Sequence, residues 1–151
     1  MFPPKRVLVP TDFSEFSNRA LRQAVAFTEK SRGWIYLLHV INRGAQQCVA
    51  DYCLSPEIMK RIENESIVRT DENLKKEIEK LSISGDAKII PLMRTGFPEE
   101  EILKEARGKN IDMIVIAALG KTGLTGRLIG SVAEKVLKGS DCPVLLVRPW
   151  F

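Results

Sequence analysis

The chain has 151 residues, 44% hydrophobic and 28% charged, with a net charge of +4 and a pI near 9.0. That length suits one domain with one ordinary core, and the apolar content argues against disorder. No apolar run approaches the ~20 residues of a membrane-spanning helix. The basic excess is mixed rather than massed, and 7% aromatic residues do not form the interleaved stripe of a nucleic-acid binder. Neither membrane nor nucleic acid is an expected partner, whereas anionic small molecules remain open as ligands. The opening Met1-Phe2-Pro3-Pro4-Lys5-Arg6 runs straight into a strand-like stretch without a signal peptide's apolar core, so a cytoplasmic location is expected.

Arg6-Val7-Leu8-Val9-Pro10 predicts a first strand buried on both faces. Thr11-Asp12-Phe13-Ser14 follows, where Asp12 with Glu15, or Ser14 with Ser17, can begin a helix. Leu21, Ala24, Val25 and Thr28 share one side of that helix, which ends before Gly33. Trp34 to Ile41 is the second strand, and His39 within it reads as a satisfied core residue rather than a base. Asn42 to Pro56 is the longest loop. It holds Cys48 and Cys53, which with Cys142 make an odd, sparse set best read as free thiols.

Glu57 to Lys80 alternates acids and bases as a solvated helix does, with Ile58, Ile62, Leu74, Ile78 and Leu81 as its inner face. The spacing slips between Ile62 and Leu74, which predicts a kink or break. Ala87 to Met93 is the third strand. Pro98 followed by Glu99, Glu100 and Glu101 marks a helix start, since proline forgoes an unpaired N–H and acids suit the positive dipole end. Ile102, Leu103 and Ala106 face inward, and Gly108 with Lys109 closes the helix. Met113 to Ala118 is a fourth strand, Ser131 to Lys138 a last helix, and Pro143 to Val147 a fifth strand, with Cys142 a small packing residue.

Strand and helix alternate throughout, which implies parallel strands and right-handed crossovers. The expected architecture is a single α/β domain over residues 1–151. Its open, doubly wound, five-stranded parallel sheet has the order 3-2-1-4-5, with about four helices on two faces. Ligands of such sheets bind beyond the carboxyl ends of strands where the winding reverses. Pro10-Thr11-Asp12-Phe13 and the stretch from Ala117 to Ser131 then converge on one crevice. Gly120, Gly123, Gly126 and Gly130 permit close backbone approach. Gly130-Ser131 opens a helix whose free N–H groups favour an anion, while Lys121, Arg127, Thr122, Thr125 and Ser131 add charge and donors. Gly120-Lys121-Thr122 is not a Walker A ending, because the earlier glycine would fall at Val115, and the glycines also miss the dinucleotide pattern.

Ala117-x2-Gly120-x9-Gly130-Ser131 resembles the nucleotide-binding segment of the universal stress protein family, Gly-x2-Gly-x9-Gly-Ser/Thr. Val9-Pro10-Thr11-Asp12-Phe13-Ser14, Leu38-His39-Val40 and Cys142-Pro143-Val144-Leu145-Leu146-Val147-Arg148 are similarly typical of it. The resemblance implies a homodimeric domain that binds ATP or AMP, with Mg2+ an open addition. It places Thr11, Asp12 and Val40 at adenine and ribose, and Gly120, Gly130, Ser131 and Val132 at ribose and phosphates, with Pro10, Ala117, Lys121 and Arg127 beside them. An acid belongs at the nucleoside end on physical grounds too, since phosphates would repel it. Ala117 departs from the family's first glycine; its methyl is harmless if turned away and obstructive if turned inward.

Three functions compete: a dimeric, nucleotide-dependent stress regulator; a nucleotide-free dimeric interaction protein; and, least supported, a slow ATP hydrolase. Dimerisation is expected through the apolar edge Val144 to Val147, with Trp150 and Phe151 at that contact or capping the sheet.

Overall fold

Val7, Leu8 and Val9 are all fully buried, and because strand side chains alternate, each face of the sheet receives its own share of them. They form the middle of β1 (Arg6–Pro10), the central strand of the computed structural model, which describes residues 3–44, 54–81, 88–121 and 128–149. β1 pairs in parallel with β2 (Trp34–Asn42) and β4 (Met113–Ala117). β2 pairs with β3 (Lys88–Gly96), and β4 with β5 (Val144–Val147). The five strands are all parallel, as the alternation of elements predicts, and they lie in the expected order β3-β2-β1-β4-β5.

The helices are α1 (Glu15–Ser31), α2 (Pro56–Lys80), α3 (Pro98–Gly108) and α4 (Ser131–Gly139). On one face Val7, Val9, Ile35, Leu37, Val115 and Ala117 pack with Ala20, Leu21 and Ala24 of α1 and Leu74 of α2. On the other, Leu8, Leu38, Val40, Ile114 and Ile116 pack with Ile102 and Ala106 of α3 and Ala133 and Val136 of α4. Among the described residues no helix is long and apolar enough to cross a membrane.

Several local expectations change. α2 runs for 25 residues without a break between Ile62 and Leu74. Its buried residues are Thr70, Leu74 and Glu77, whereas Ile58 is 44% exposed and Ile62 half-buried. Only the C-terminal half lies on the sheet, so the slipped spacing marks where packing begins. β3 continues past Met93 to Gly96, because it pairs with β2 residue for residue as far as Asn42. The cap of α1 is Ser14, whose hydroxyl accepts the Ser17 amide at 3.2 Å. Cys48, Cys53, Trp150 and Phe151 lie outside the described residues.

Candidate functional site

β1 ends at Pro10, and the next residue locks the chain into a turn. The Thr11 amide donates to the Leu38 carbonyl at 2.8 Å. Thr11 is only 6% exposed, and its hydroxyl points into the protein. That oxygen accepts the Phe13 amide at 3.0 Å and lies 3.1 Å from both the Ser17 hydroxyl and a Glu77 carboxyl oxygen. Phe13 adopts φ 63°, a left-handed conformation uncommon for a bulky residue. Its ring rests on His39, with centroids 4.4 Å apart.

His39 Nδ1 donates to the Thr11 carbonyl at 2.8 Å. A carbonyl only accepts, so the neutral ring carries its proton on Nδ1 and leaves Nε2 as an acceptor. Burial lowers the pKa of His39 and Lys121 lowers it further, against the opposing effects of the Thr11 carbonyl and Asp12. The ring is thus a satisfied, partly buried support, consistent with the reading of it as structural.

Asp12 is half-buried at the tip of this turn. One carboxylate oxygen accepts the Ser14 amide at 3.0 Å and the Ser14 hydroxyl; the other accepts the Lys121 amide at 2.8 Å. Burial alone would raise its pKa, but the bonds from Ser14 and Lys121 outweigh it and hold the carboxyl below its ordinary value. Asp12 is therefore a carboxylate that joins the tip of β1 to the segment after β4.

That segment forms the second wall. The Ala118 amide donates to Val147, and the Gly130 amide returns to the Ala118 carbonyl at 2.6 Å. The start of α4 is so tied to the end of β4. Gly130 caps α4 without a side chain, and Ser131 beside it is exposed. At Gly120 an added Cβ would lie 2.7 Å from the Asp12 carboxylate, so a larger residue there would displace that carboxylate from its present place.

The predicted residues thus fall into distinct groups. Asp12, Gly120 and Lys121 meet directly, and Gly130, Ser131 and Val132 stand on the facing helix turn. Pro10 is half-buried at the strand end, while Val40 is buried against α3. Ala117 is 9% exposed, and its methyl packs in the core under α1. Arg127 lies outside the described residues, as do Thr122, Gly123, Thr125 and Gly126. Among the described residues no group of three or more acids, cysteines or histidines is gathered to hold a metal ion. A separate groove of about 690 Å3 runs along α2 between Glu57 and Glu72, and every residue lining it is exposed.

Glu77 is the participant that sequence reasoning missed. It lies among the alternating charges of α2, yet it follows Thr70 and Leu74 at i+7 and i+3, the spacing of one helix face.

The universal stress protein family model matches residues 3–148. Universal stress protein MJ0577 of Methanocaldococcus jannaschii is 33% identical, over 95% of this chain and 94% of its own length. A solved structure of MJ0577 superposes with a TM-score of 0.80 at 35% identity, covering 97% of each chain. A universal stress protein from Archaeoglobus fulgidus in complex with dAMP shares the fold at TM-score 0.62 and 21% identity, over 94% of this chain and 96% of its own. With the fold and these likenesses in agreement, the chain belongs to the universal stress protein family.

Proposed function

We propose that this chain binds an adenine nucleotide, ATP or AMP, in the crevice between the ends of β1 and β4, as a cytoplasmic stress-response module. The observation that carries the reading is the Asp12–Lys121 bond, which joins an ionised acid at the tip of β1 to the segment that follows β4. The two ends suit the two ends of a nucleotide. Asp12 accepts hydrogen bonds from ribose hydroxyls or base N–H groups, and the first turn of α4 offers amides and a positive dipole end to phosphate. Pro10, Thr11 and Val40 shape the nucleoside end; Gly120, Lys121, Gly130, Ser131 and Val132 serve sugar and phosphates, with Arg127 assigned there by its place in the motif. The dAMP complex of a relative supports the ligand class. Mg2+ would come with a triphosphate, held by its phosphate oxygens.

The main rival is a nucleotide-free interaction protein in which Ala117 closes the site. The packing of its methyl under α1 speaks for retained binding. Calorimetry with ATP and AMP on nucleotide-stripped protein tests the reading, and mass spectrometry of freshly purified, denatured protein looks for co-purified nucleotide. Binding at micromolar to millimolar ligand is expected. No binding in that range, with no co-purified nucleotide, would overturn it.

The module acts as a homodimer through β5. The sheet has two edges, and they differ. β3 carries Lys88, Pro91 and Arg94, and proline and charge are common guards against edge pairing. β5 is Val-Leu-Leu-Val, half-buried throughout and without such guards. A nucleotide that binds one arrangement of the dimer or its partner surface better than another would shift that equilibrium.

A further inference from the structure

Glu77 is an acid placed where solvent does not reach. It is 8% exposed, and both its carboxyl oxygens approach one hydroxyl, Thr11 Oγ1, at 3.1 and 3.4 Å. Among the described residues no ion pair includes it. An ionised carboxylate seeks several donors, and among the described residues this one has a single hydroxyl.

The neutral acid fits the surroundings better. Its proton can go to Thr11 Oγ1, the Thr11 proton to Ser17 Oγ at 3.1 Å, and the Ser17 proton to the Ser14 carbonyl at 2.9 Å. Thr11 keeps a lone pair for the Phe13 amide. Each hydroxyl then donates once, and the chain closes on the residue that caps α1. Ionising Glu77 reverses the first link: Thr11 must turn its proton to the carboxylate, and Ser17 loses that donor.

The charges acting on Glu77 are Asp12 from the β1 turn, which opposes ionisation, and Lys80 on its own helix, which favours it; Ser17 on α1 and Thr11 are uncharged. Burial is the largest influence and, with Asp12, pushes the carboxyl above its ordinary range despite the Thr11 bond and Lys80.

We propose that Glu77 is a positioning residue of the nucleotide site: as a neutral acid it fixes, through Thr11 and Ser17, the turn that presents Asp12 to the ligand. This rests on the adenine-nucleotide reading of the crevice. It gives α2, which contributes nothing else to the site, a direct hold on ligand affinity.

The test compares wild type with Glu77→Gln, Glu77→Ala and Thr11→Val. ATP affinity is measured at about pH 5.5 and about pH 8.5, together with amide exchange at Phe13 and Ser14 without ligand. Glutamine keeps a donor for Thr11. The ratio of wild-type to Glu77→Gln affinity also cancels the titration of the nucleotide phosphate and of His39. That ratio is expected to be near one while Glu77 is neutral and to fall only where rising pH ionises it. Glu77→Ala and Thr11→Val should each weaken ATP by about five- to ten-fold and speed exchange at Phe13 and Ser14.

Wild-type affinity and exchange in Glu77→Ala would overturn the positioning role. A ratio well below one at both pH values would overturn the neutral-acid form of it. If wild type binds no ATP while exchange still quickens in Glu77→Ala, the nucleotide reading fails and the positioning of the turn stands.

Discussion

Asp12 and Lys121 are 109 residues apart in sequence, yet the carboxylate of one accepts the amide of the other at 2.8 Å, joining the end of β1 to the segment after β4. The same carboxylate accepts the Ser14 amide on its other oxygen. Both oxygens thus face N–H groups, and an asparagine can satisfy only one of them without turning its own NH2 toward a donor. Asp12→Asn is expected to weaken ATP binding about ten-fold, in line with a lost charge-assisted bond. Gly120→Ala should act in the same direction, because its Cβ would crowd the carboxylate at 2.7 Å. Calorimetry on stripped protein checks both, and unchanged affinity in the pair would remove Asp12 from the ligand site.

Ala117 separates a plugged crevice from an open one. Its methyl lies with Val9, Leu21 and Val115 in the core. Ala117→Gly therefore removes a packed methyl and loosens a central strand, a loss of about 1 kcal/mol of stability by urea titration. ATP affinity should stay within about two-fold, well under 1 kcal/mol. A large gain in affinity would mean that the methyl obstructs the ligand instead.

The single histidine makes one pH effect unambiguous. Burial holds the pKa of His39 below the ordinary 6.5, so the folded protein binds this proton more weakly than the unfolded chain does. By linkage its contribution to stability is intact above 6.5 and is lost as pH falls from there toward the folded-state value. Proton NMR of the His39 ring should give a midpoint below 6.5, and His39→Gln should flatten the urea midpoint of unfolding across that window. A midpoint above 6.5 would contradict the neutral Nδ1–H ring that supports Thr11.

Much of the architecture was legible because central and edge strands differ in what they bury. Val7-Leu8-Val9 and Met113 to Ala117 are apolar at consecutive positions, which only strands covered on both faces allow. The proline and three acids at Pro98 to Glu101 announced α3 by local chemistry alone. The site was legible only in its composition. Nothing local separates Asp12 from Ser14 as a helix cap; the choice falls to Ser14, while Asp12 bonds a segment far along the chain. Glu77 was hidden for a similar reason. The polar face of α2 looks alike from Glu57 to Lys80, and the tertiary fold alone decides that its second half packs on the sheet and reaches Thr11 after β1, while its first half does not.

The β5 edge permits a test that leaves the sheet intact. Pro143 and Val147 direct their carbonyls at β4, accepting from Ile114 and Ala118 at 3.0 and 2.9 Å. Strand groups alternate sides, so Leu145 also faces β4 while Val144 and Leu146 direct their N–H and C=O to the free edge. A proline at position 146 deletes an outward donor without breaking a β4 bond, the one strand context in which proline is tolerated. Leu146 also packs on the core, so Leu146→Pro should lower the melting temperature while circular dichroism stays α/β. Light scattering should show a dimer for wild type at micromolar concentration and a monomer for Leu146→Pro. Pro91→Val on the opposite edge should leave the dimer unchanged, since β3 keeps Lys88 and Arg94 as guards. A wild-type monomer would end the proposal of pairing through β5, and so would a Leu146→Pro protein that remains fully dimeric.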